Sequence, residues 1–435
     1  EFLRDAAEFG RKFGEDWLKI RIAEVRFCRA YAYFMLCRVY GGVILRTEVD
    51  GPEQNDKARS TEEECWGFII NELKELAPDL PLKWDSDNSG RATQKAAYGL
   101  LSRVALYAEK WDVAAQAARD CATAEGNLDL SKNGYAKIFE LGINSPEVLF
   151  AVEFKSSVID HAYDAYVRPS GDTKELGKQV YSGFVPTSEL VDSYEMAGDG
   201  GNFSWEKHGK DPYANREPRF YATILYNGAD WMGRKIESFV GGKDGYKAYE
   251  NAGAAGTTVT GYYLRKYLID GDKTWVTSGS GQDWIVLRYA EVLLNKAEAL
   301  AMENWNKNSA EALQALNDVR ARVGLPARAT ADKETFLEYV RHERKVELAG
   351  EGFRYWDLRR WRLAEKVIDG QNVHGVKISK QSDGSFTYEQ VDADGGHKRI
   401  FYDRYYRFAI PLSERSNNSL CTNTVSYTHL RAHET

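Results

Sequence analysis

Apolar residues recur at helical spacing through most of the first and last thirds of the chain. Between residues 15 and 40, Ile22, Val25, Phe27, Tyr31, Phe34, Leu36 and Tyr40 give a broad apolar face, and Gly41 and Gly42 end it. A short extended piece at 43–45 follows. Thr61 with Glu64 three positions on forms a capping box, which predicts a helix running to Ala77 and closed by Pro78. Residues 93–125 then read as a helical hairpin. Ala97, Leu101, Val104, Ala105 and Ala108 lie on its first helix, residues 109–112 turn the chain, and the Ala-rich stretch 114–124 returns. Residues 285–323 repeat the plan: a helix at 285–302, a turn at 304–308, and a second helix capped by Ser309 that ends at Val323, before Gly324 and Pro326. Further helices are expected at 334–349 and 353–368, separated by Gly350 and Gly352. Residues 369–396 read as a hairpin or loop, and 405–411 alternate like a closing strand.

Between the helical parts the pattern changes. From Tyr181 to Trp284 there are 18 aromatics in 104 residues, and 198–281 hold 15 of the 37 glycines. Such a stretch cannot be a long helix, so loops and short strands are expected there. Two hairpins with small residues at the helix crossing fit a tetratricopeptide-like unit, yet two copies are too few for a free-standing solenoid. The predicted fold is therefore mainly α: tetratricopeptide-like hairpins in one helical body, carrying a large aromatic- and Gly-rich insertion of loops and short strands. The expected divisions are an N-terminal helical part at 1–155, the insertion at 156–284, a C-terminal helical part at 285–423, and a tail at 424–435.

Composition narrows the function. A net charge of −7 with both signs interspersed leaves no cationic stripe for nucleic acid. The longest uncharged apolar stretch, 30–37, is too short to cross a membrane. No signal peptide precedes the charged opening helix, so the natural start is expected to lie upstream of Glu1. Cys28, Cys37, Cys65, Cys121 and Cys421 form no CxxC pair and are expected as small buried thiols. Aromatics make up 13% of the chain, and Tyr and Trp in loops point to recognition.

Specific blocks carry a resemblance. AEVRFCRAYAYFMLCRVYGGVIL (23–45) looks like the first signature of the SusD/RagB family of Bacteroidota outer-membrane nutrient-binding lipoproteins, and RATQKAAYGLLSRVALYAEKWDVAAQAA (91–118) is similar to that family's next hairpin. YYLRKYL (262–268), DWIVLRYAEVLLNKAEAL (283–300), ALNDVRARVGLP (315–326), VRHERKVELAGEGFRYWDLRRW (340–361) and FAIPLSERSNN (408–418) match its C-terminal part in order. The resemblance implies a helical body with four tetratricopeptide-like hairpins. It also implies a lipid-anchored, non-enzymatic receptor on the extracellular face of the outer membrane, which hands oligosaccharide, or less often peptide, to a TonB-dependent transporter. Two departures stand out. The family's lipidated Cys and an N-terminal ligand-contacting loop are expected upstream of Glu1, and the segment 425–435 has no apolar period and matches nothing in the family.

His342-Glu343 begins like HExxH, but Val346 stands where the second His would be, so no zinc pair forms. Glu343, Arg344, Glu347 and Glu351 are expected as helix-surface or inter-helix ion pairs. Glu291 and Glu298 share a helix face with Arg288, which is the expected salt-bridge partner and argues against an acid pair for glycoside hydrolysis. Asp85 and Asp87 imitate the start of a calcium loop whose twelfth position is Ala96, and the Gly clusters at 198–201, 241–245 and 279–281 lack a strand–helix context for phosphate. No metal, cofactor or catalytic residue is expected. Trp284, Phe353, Tyr355, Trp356 and Trp361 are expected in the core. Trp205, Tyr213, Trp231, Tyr249 and Trp275 lie among polar and glycine neighbours and are the ligand-binding candidates, because sugar C–H faces stack on such rings. The plainer role for each is to pin its loop to the body. The leading function is oligosaccharide binding; a protein-binding scaffold and, last, a glycoside hydrolase are the alternatives.

Overall fold

Glu15–Tyr40 (α1) is one unbroken helix, as the pattern predicted. Ala23, Phe27, Ala30, Phe34 and Cys37 return every three or four residues, and this stripe is buried against Cys65, Ile69, Leu73 and Leu76 of Glu62–Leu76 (α2). Gly41 closes α1 at φ +73°, a conformation glycine adopts without strain. At the start of α2 the Glu64 amide donates to the Thr61 hydroxyl, and the Thr61 amide donates to the Glu64 carboxylate at 2.7 Å. In the computed structural model, residues 2–48, 51, 56–251 and 257–421 are described. The expectation for the tail at 425–435 lies outside the described residues.

Gln94–Tyr107 (α3) and Trp111–Thr123 (α4) form the first predicted hairpin, with Thr93 as N-cap. Ala114, Ala115, Ala117 and Ala118 are buried, so the two backbones approach closely. The second hairpin needs correcting. Residues 285–288 are not helical: Trp284–Arg288 (β2) pairs antiparallel with Val148–Val152 (β1), and the helix begins at Tyr289. A short run of Ile, Val and Leu buried on both faces has no periodicity that separates strand from helix. The following helix, Tyr289–Arg322 (α5), bends at Asn304, whose φ of −164° breaks it into the two expected arms. Asn304 accepts from the Lys307 amide at 3.2 Å and supplies the cap that the sequence suggested for Ser309. Gly324 follows the C-cap at φ +73°.

Lys333–Glu347 (α6), Arg354–Arg360 (α7) and Ala364–Ile368 (α8) complete the helical body, and Arg362 at φ +54° separates the last two. The polar stretch at 369–396 folds as a hairpin, His374–Lys380 (β3) with Phe386–Asp392 (β4). No strand forms at 405–411. Tyr406 ends a single 3₁₀ turn and packs on Phe401, and no neighbouring strand offers a partner. Cys28 is exposed rather than buried; the other four cysteines are buried.

Buried ion pairs fasten the helical parts to each other and the insertion to the helical body. Arg288 reaches Glu147 (2.9 Å), Glu347 (2.6 Å) and Glu351 (2.7 Å). Arg219, from the insertion, reaches Glu217 (2.6 Å), Glu343 (2.5 Å) and Glu347 (2.9 Å). Lys266 joins Glu351 at 2.7 Å, and Arg320 joins Glu195 at 2.9 Å. Glu343, Glu347 and Glu351 are thus inter-element pairs in the interior, and Arg344 binds Asp357 at 2.9 Å. The partners of Glu291 and Glu298 differ from the expected Arg288. Glu291 takes Arg103 at 2.6 Å, and Glu298 takes Arg360 and the Trp361 indole N–H at 2.8 Å. Arg288 sits on β2, and its side chain turns toward α6 instead.

Candidate functional site

The five aromatic candidates fall in three places. Trp231 and Trp275 come together around Arg168, whose guanidinium lies 5.2 Å from each ring. Both indoles are buried, with 0% and 1% of their surface exposed, so neither presents a ring face. The Trp231 N–H donates to Asp172 at 3.0 Å, and Arg168 binds Asp164 at 2.7 Å. Tyr213 and Trp205 lie elsewhere, both packed near Tyr388. Tyr213 is buried among Phe220, Tyr226 and Tyr262, while Trp205 is half-buried and donates to Asp192 at 2.9 Å. Tyr249 is exposed at the edge of the insertion, with its ring against His397. The expectation of open platforms is therefore corrected for Trp231, Trp275 and Tyr213: their large rings are buried with other apolar side chains of the insertion and hold the Gly-rich loops in place.

The structure brings other rings to the surface. Tyr163–Val167 is a five-residue helix that ends beside Arg168. The Tyr181 amide donates to the Ala165 carbonyl and the Gly183 amide to that of Tyr166, both at 2.7 Å. Segment 180–184 is thereby laid along the helix end. Val180 points inward, and the Ser182 hydroxyl donates to the Arg168 carbonyl at 2.9 Å. Tyr181 is left facing out, stacked on Tyr166 with centroids 5.1 Å apart and planes at 27°. Phe184 beside them is 63% exposed. Lys174, Glu175 and Gln179, all exposed, supply polar groups on the same stretch. An exposed stacked pair on a desolvated Arg168 floor offers flat apolar faces with hydrogen-bonding groups close by, the arrangement that pyranose rings fit.

Sequence reasoning missed this pair. The available signal was the order Val180–Tyr181–Ser182, one apolar side chain inward and an aromatic outward. Trp284, expected in the core, is 36% exposed at the start of β2 and stacks on Tyr267 at 5.0 Å. The cluster on and beside α7 is core only in part: Phe353 is half-buried and packs against the main core, Trp356 and Trp361 are half-buried, and Tyr355 is exposed. Asp85 caps a turn by accepting from the Asn88 amide at 3.0 Å. Among the described residues no group of three or more His, Cys, Asp or Glu side chains is placed to hold a metal, and no helix is long and apolar enough to cross a membrane.

Comparison with known proteins adds the family. The profile described as the SusD family matches residues 146–427, and one described as starch-binding associating with outer membrane matches residues 9–106. The chain belongs to the SusD family. A SusD-like protein of Bacteroides ovatus is 26% identical over 402 residues, covering 86% of this chain and 66% of the relative. The chain thus spans about two thirds of the length of the curated relatives it matches. Among solved SusD-like structures, one from Bacteroides fragilis superposes with a TM-score of 0.84 at 28% identity, covering 98% of this chain and 83% of the other. A SusD-like carbohydrate binding protein from the same species gives 0.78 at 25% identity, covering 93% and 80%. The SusD-like helical body is thereby shown, with the insertion described above built upon it.

Proposed function

We propose that this SusD-family chain captures an oligosaccharide at the outer membrane and passes it uncleaved to a TonB-dependent transporter. The exposed Tyr166–Tyr181 stack carries the reading, since a scaffold for protein alone has no use for bare parallel rings on a fixed floor. Similarity to the SusD-like carbohydrate binding protein of Bacteroides fragilis supports the ligand class, and the starch-binding family match supports the location. Tyr249, Trp284 and the open edge of Trp205 are further contacts in this proposal; the buried Trp231, Trp275 and Tyr213 hold the loops. Each sugar stacked on a ring contributes about 0.5–1.5 kcal/mol beyond burial. Two or three such contacts with hydroxyl hydrogen bonds give roughly −4 to −8 kcal/mol, millimolar to micromolar. Weak capture suits release to a transporter.

Catalysis is not part of the proposal. Glu291 and Glu298 are each taken up by a buried ion pair, with Arg103 and Arg360, so neither is a free carboxylate flanking a glycosidic bond. A glycan array followed by titration of the best sugar tests both points. Tyr166→Ala and Tyr181→Ala should each weaken binding several-fold with the fold intact. Unchanged affinity in the double variant, or steady release of reducing ends by the wild-type chain, overturns the reading.

A further inference from the structure

A second concavity lies in the helical body, away from the insertion. It has a volume of about 1030 Å³ and is walled by the end of α1, the start of α2, the α3–α4 turn, α5, α6 and α7. Eight Lys or Arg side chains line it against five carboxylates. Most of those carboxylates already have partners: Glu298 with Arg360, Asp403 with Arg362, Glu62 with Arg407 and Glu63 with Lys110.

Two lining guanidiniums have no carboxylate within ion-pair distance among the described residues. Arg38 is half-buried, stacked over Trp356 at 4.4 Å, and its Nε is buried without a hydrogen-bond acceptor. Arg359 lies 3.4 Å from the Tyr355 ring centroid and donates only to the Tyr355 carbonyl at 3.2 Å; its Nε is also without a partner. Burial makes both charges costly: it lowers the pKa of each, and nearby Arg103 lowers that of Arg38 further. Stacking on aromatic rings limits the rotamers of both forks, so an anion would meet donors already in place. Trp111, at the first turn of α4, lines the same cleft. Among the described contacts it has neither an aromatic ring nor a cation over its face.

We propose that this cleft is a second glycan site, selective for sugars that carry a carboxylate or a sulfate ester. The part of the Trp111 indole that lines the cleft takes a pyranose C–H face, and Arg38 and Arg359 take the anionic group through charge-assisted hydrogen bonds. The size suits several linked sugar rings rather than a lone inorganic anion. The choice of sugar over an acidic peptide rests on the proposed receptor function; the anion chemistry does not.

The test is calorimetric titration of the full chain with an oligogalacturonide, a sulfated oligosaccharide, a neutral malto-oligosaccharide and an oligoglutamate peptide, at low and high salt. At least one acidic sugar should bind more tightly than the neutral one, with affinity falling as salt rises. Arg38→Gln and Arg359→Gln should each weaken it by about tenfold or more, while neither changes the affinity for the neutral sugar. Circular dichroism checks each variant, and Arg359→Gln carries the test if Arg38→Gln fails to fold. Acidic sugars binding no better than neutral ones, or binding that ignores both arginine substitutions, overturns the proposal. Oligoglutamate matching the acidic sugars with the same arginine dependence overturns the sugar assignment and makes the cleft a seat for an acidic protein segment. Neutral sugar binding lost in the tyrosine variants, without any acidic binding, removes this site and leaves the receptor function standing. Failure of every sugar removes both.

Discussion

Replacing Trp231 by alanine deletes an indole that has no exposed surface and packs among Val167, Leu225, Ile236, Tyr263 and Leu268. Large aromatic-to-alanine changes at such sites cost about 3–5 kcal/mol. The lost N–H bond to Asp172 falls within that range, because Asp172 keeps Arg234 at 2.8 Å and Arg168 at 3.4 Å and does not become an unpaired buried charge. Against a total of about 5–15 kcal/mol, this removes a large share of the stability. Trp284→Ala differs: the ring is partly exposed, and its stack on Tyr267 is worth about 0.5–1.5 kcal/mol, so a loss of about 1–2 kcal/mol with its remaining buried area is expected. Urea denaturation followed by far-ultraviolet circular dichroism measures both losses without relying on tryptophan emission, and sugar titration of the folded variants measures binding. The reasoning fails if Trp231→Ala stays within about 1 kcal/mol of the parent while losing sugar affinity. It fails equally if Trp284→Ala is the more destabilising of the two.

Three further outcomes are expected. Ala297→Leu, at a fully buried position on α5, should overpack the helical body by about 1–3 kcal/mol, visible as a lower urea midpoint. Arg288→Met should destabilise by about 3–5 kcal/mol, since Glu147, Glu347 and Glu351 each lose a buried cation; a neutral effect in the same denaturation assay would show that these carboxylates find other donors. Glu347, Glu351 and Asp357 are held below the usual carboxylate range despite the opposing effect of burial, by Arg322, Arg288 and Arg344 first respectively. The stability they contribute is therefore full above the unfolded values and lost as pH falls through the folded ones. Glu217, raised mainly by burial, offsets part of this. Lys266 works in the other direction: burial lowers it from 10.5 to about 8, the unfolded chain binds the extra proton between those values, and stability should rise across that window. Urea midpoints taken from acid to alkaline pH check both slopes.

How much was legible depended on whether a local pattern existed. The stripe on α1, the Thr61–Glu64 box and the small residues of α4 specify their elements through neighbours three or four positions away, and these formed as read. Trp284–Arg288 carried no such pattern, and only its pairing with β1 makes it a strand. The candidate rings show the same division. Loop position and polar neighbours cannot separate Trp231, buried by an Arg168 far away in sequence, from Tyr249, which stays exposed. The Tyr166–Tyr181 stack depends on backbone bonds between 163–167 and 180–184, and no spacing in the chain announces them. The buried ion pairs were legible as pairs but not as a web, since Arg219 meets Glu343 and Glu347, and Arg320 meets Glu195, only once the insertion is in place.

The Arg168 clasp separates the groups that hold this surface from the groups it displays. Its stability comes from Trp231, Trp275 and Asp164, all turned inward, whereas Tyr166, Tyr181 and Phe184 project from backbone that those groups fix. Side chains at the three outward positions can be exchanged at the cost of little more than the Tyr166–Tyr181 stack, about 0.5–1.5 kcal/mol. One floor can therefore display different chemistry as the available nutrient changes, and a redesigned recognition surface could be grafted at positions 166, 181 and 184 without rebuilding the loops beneath.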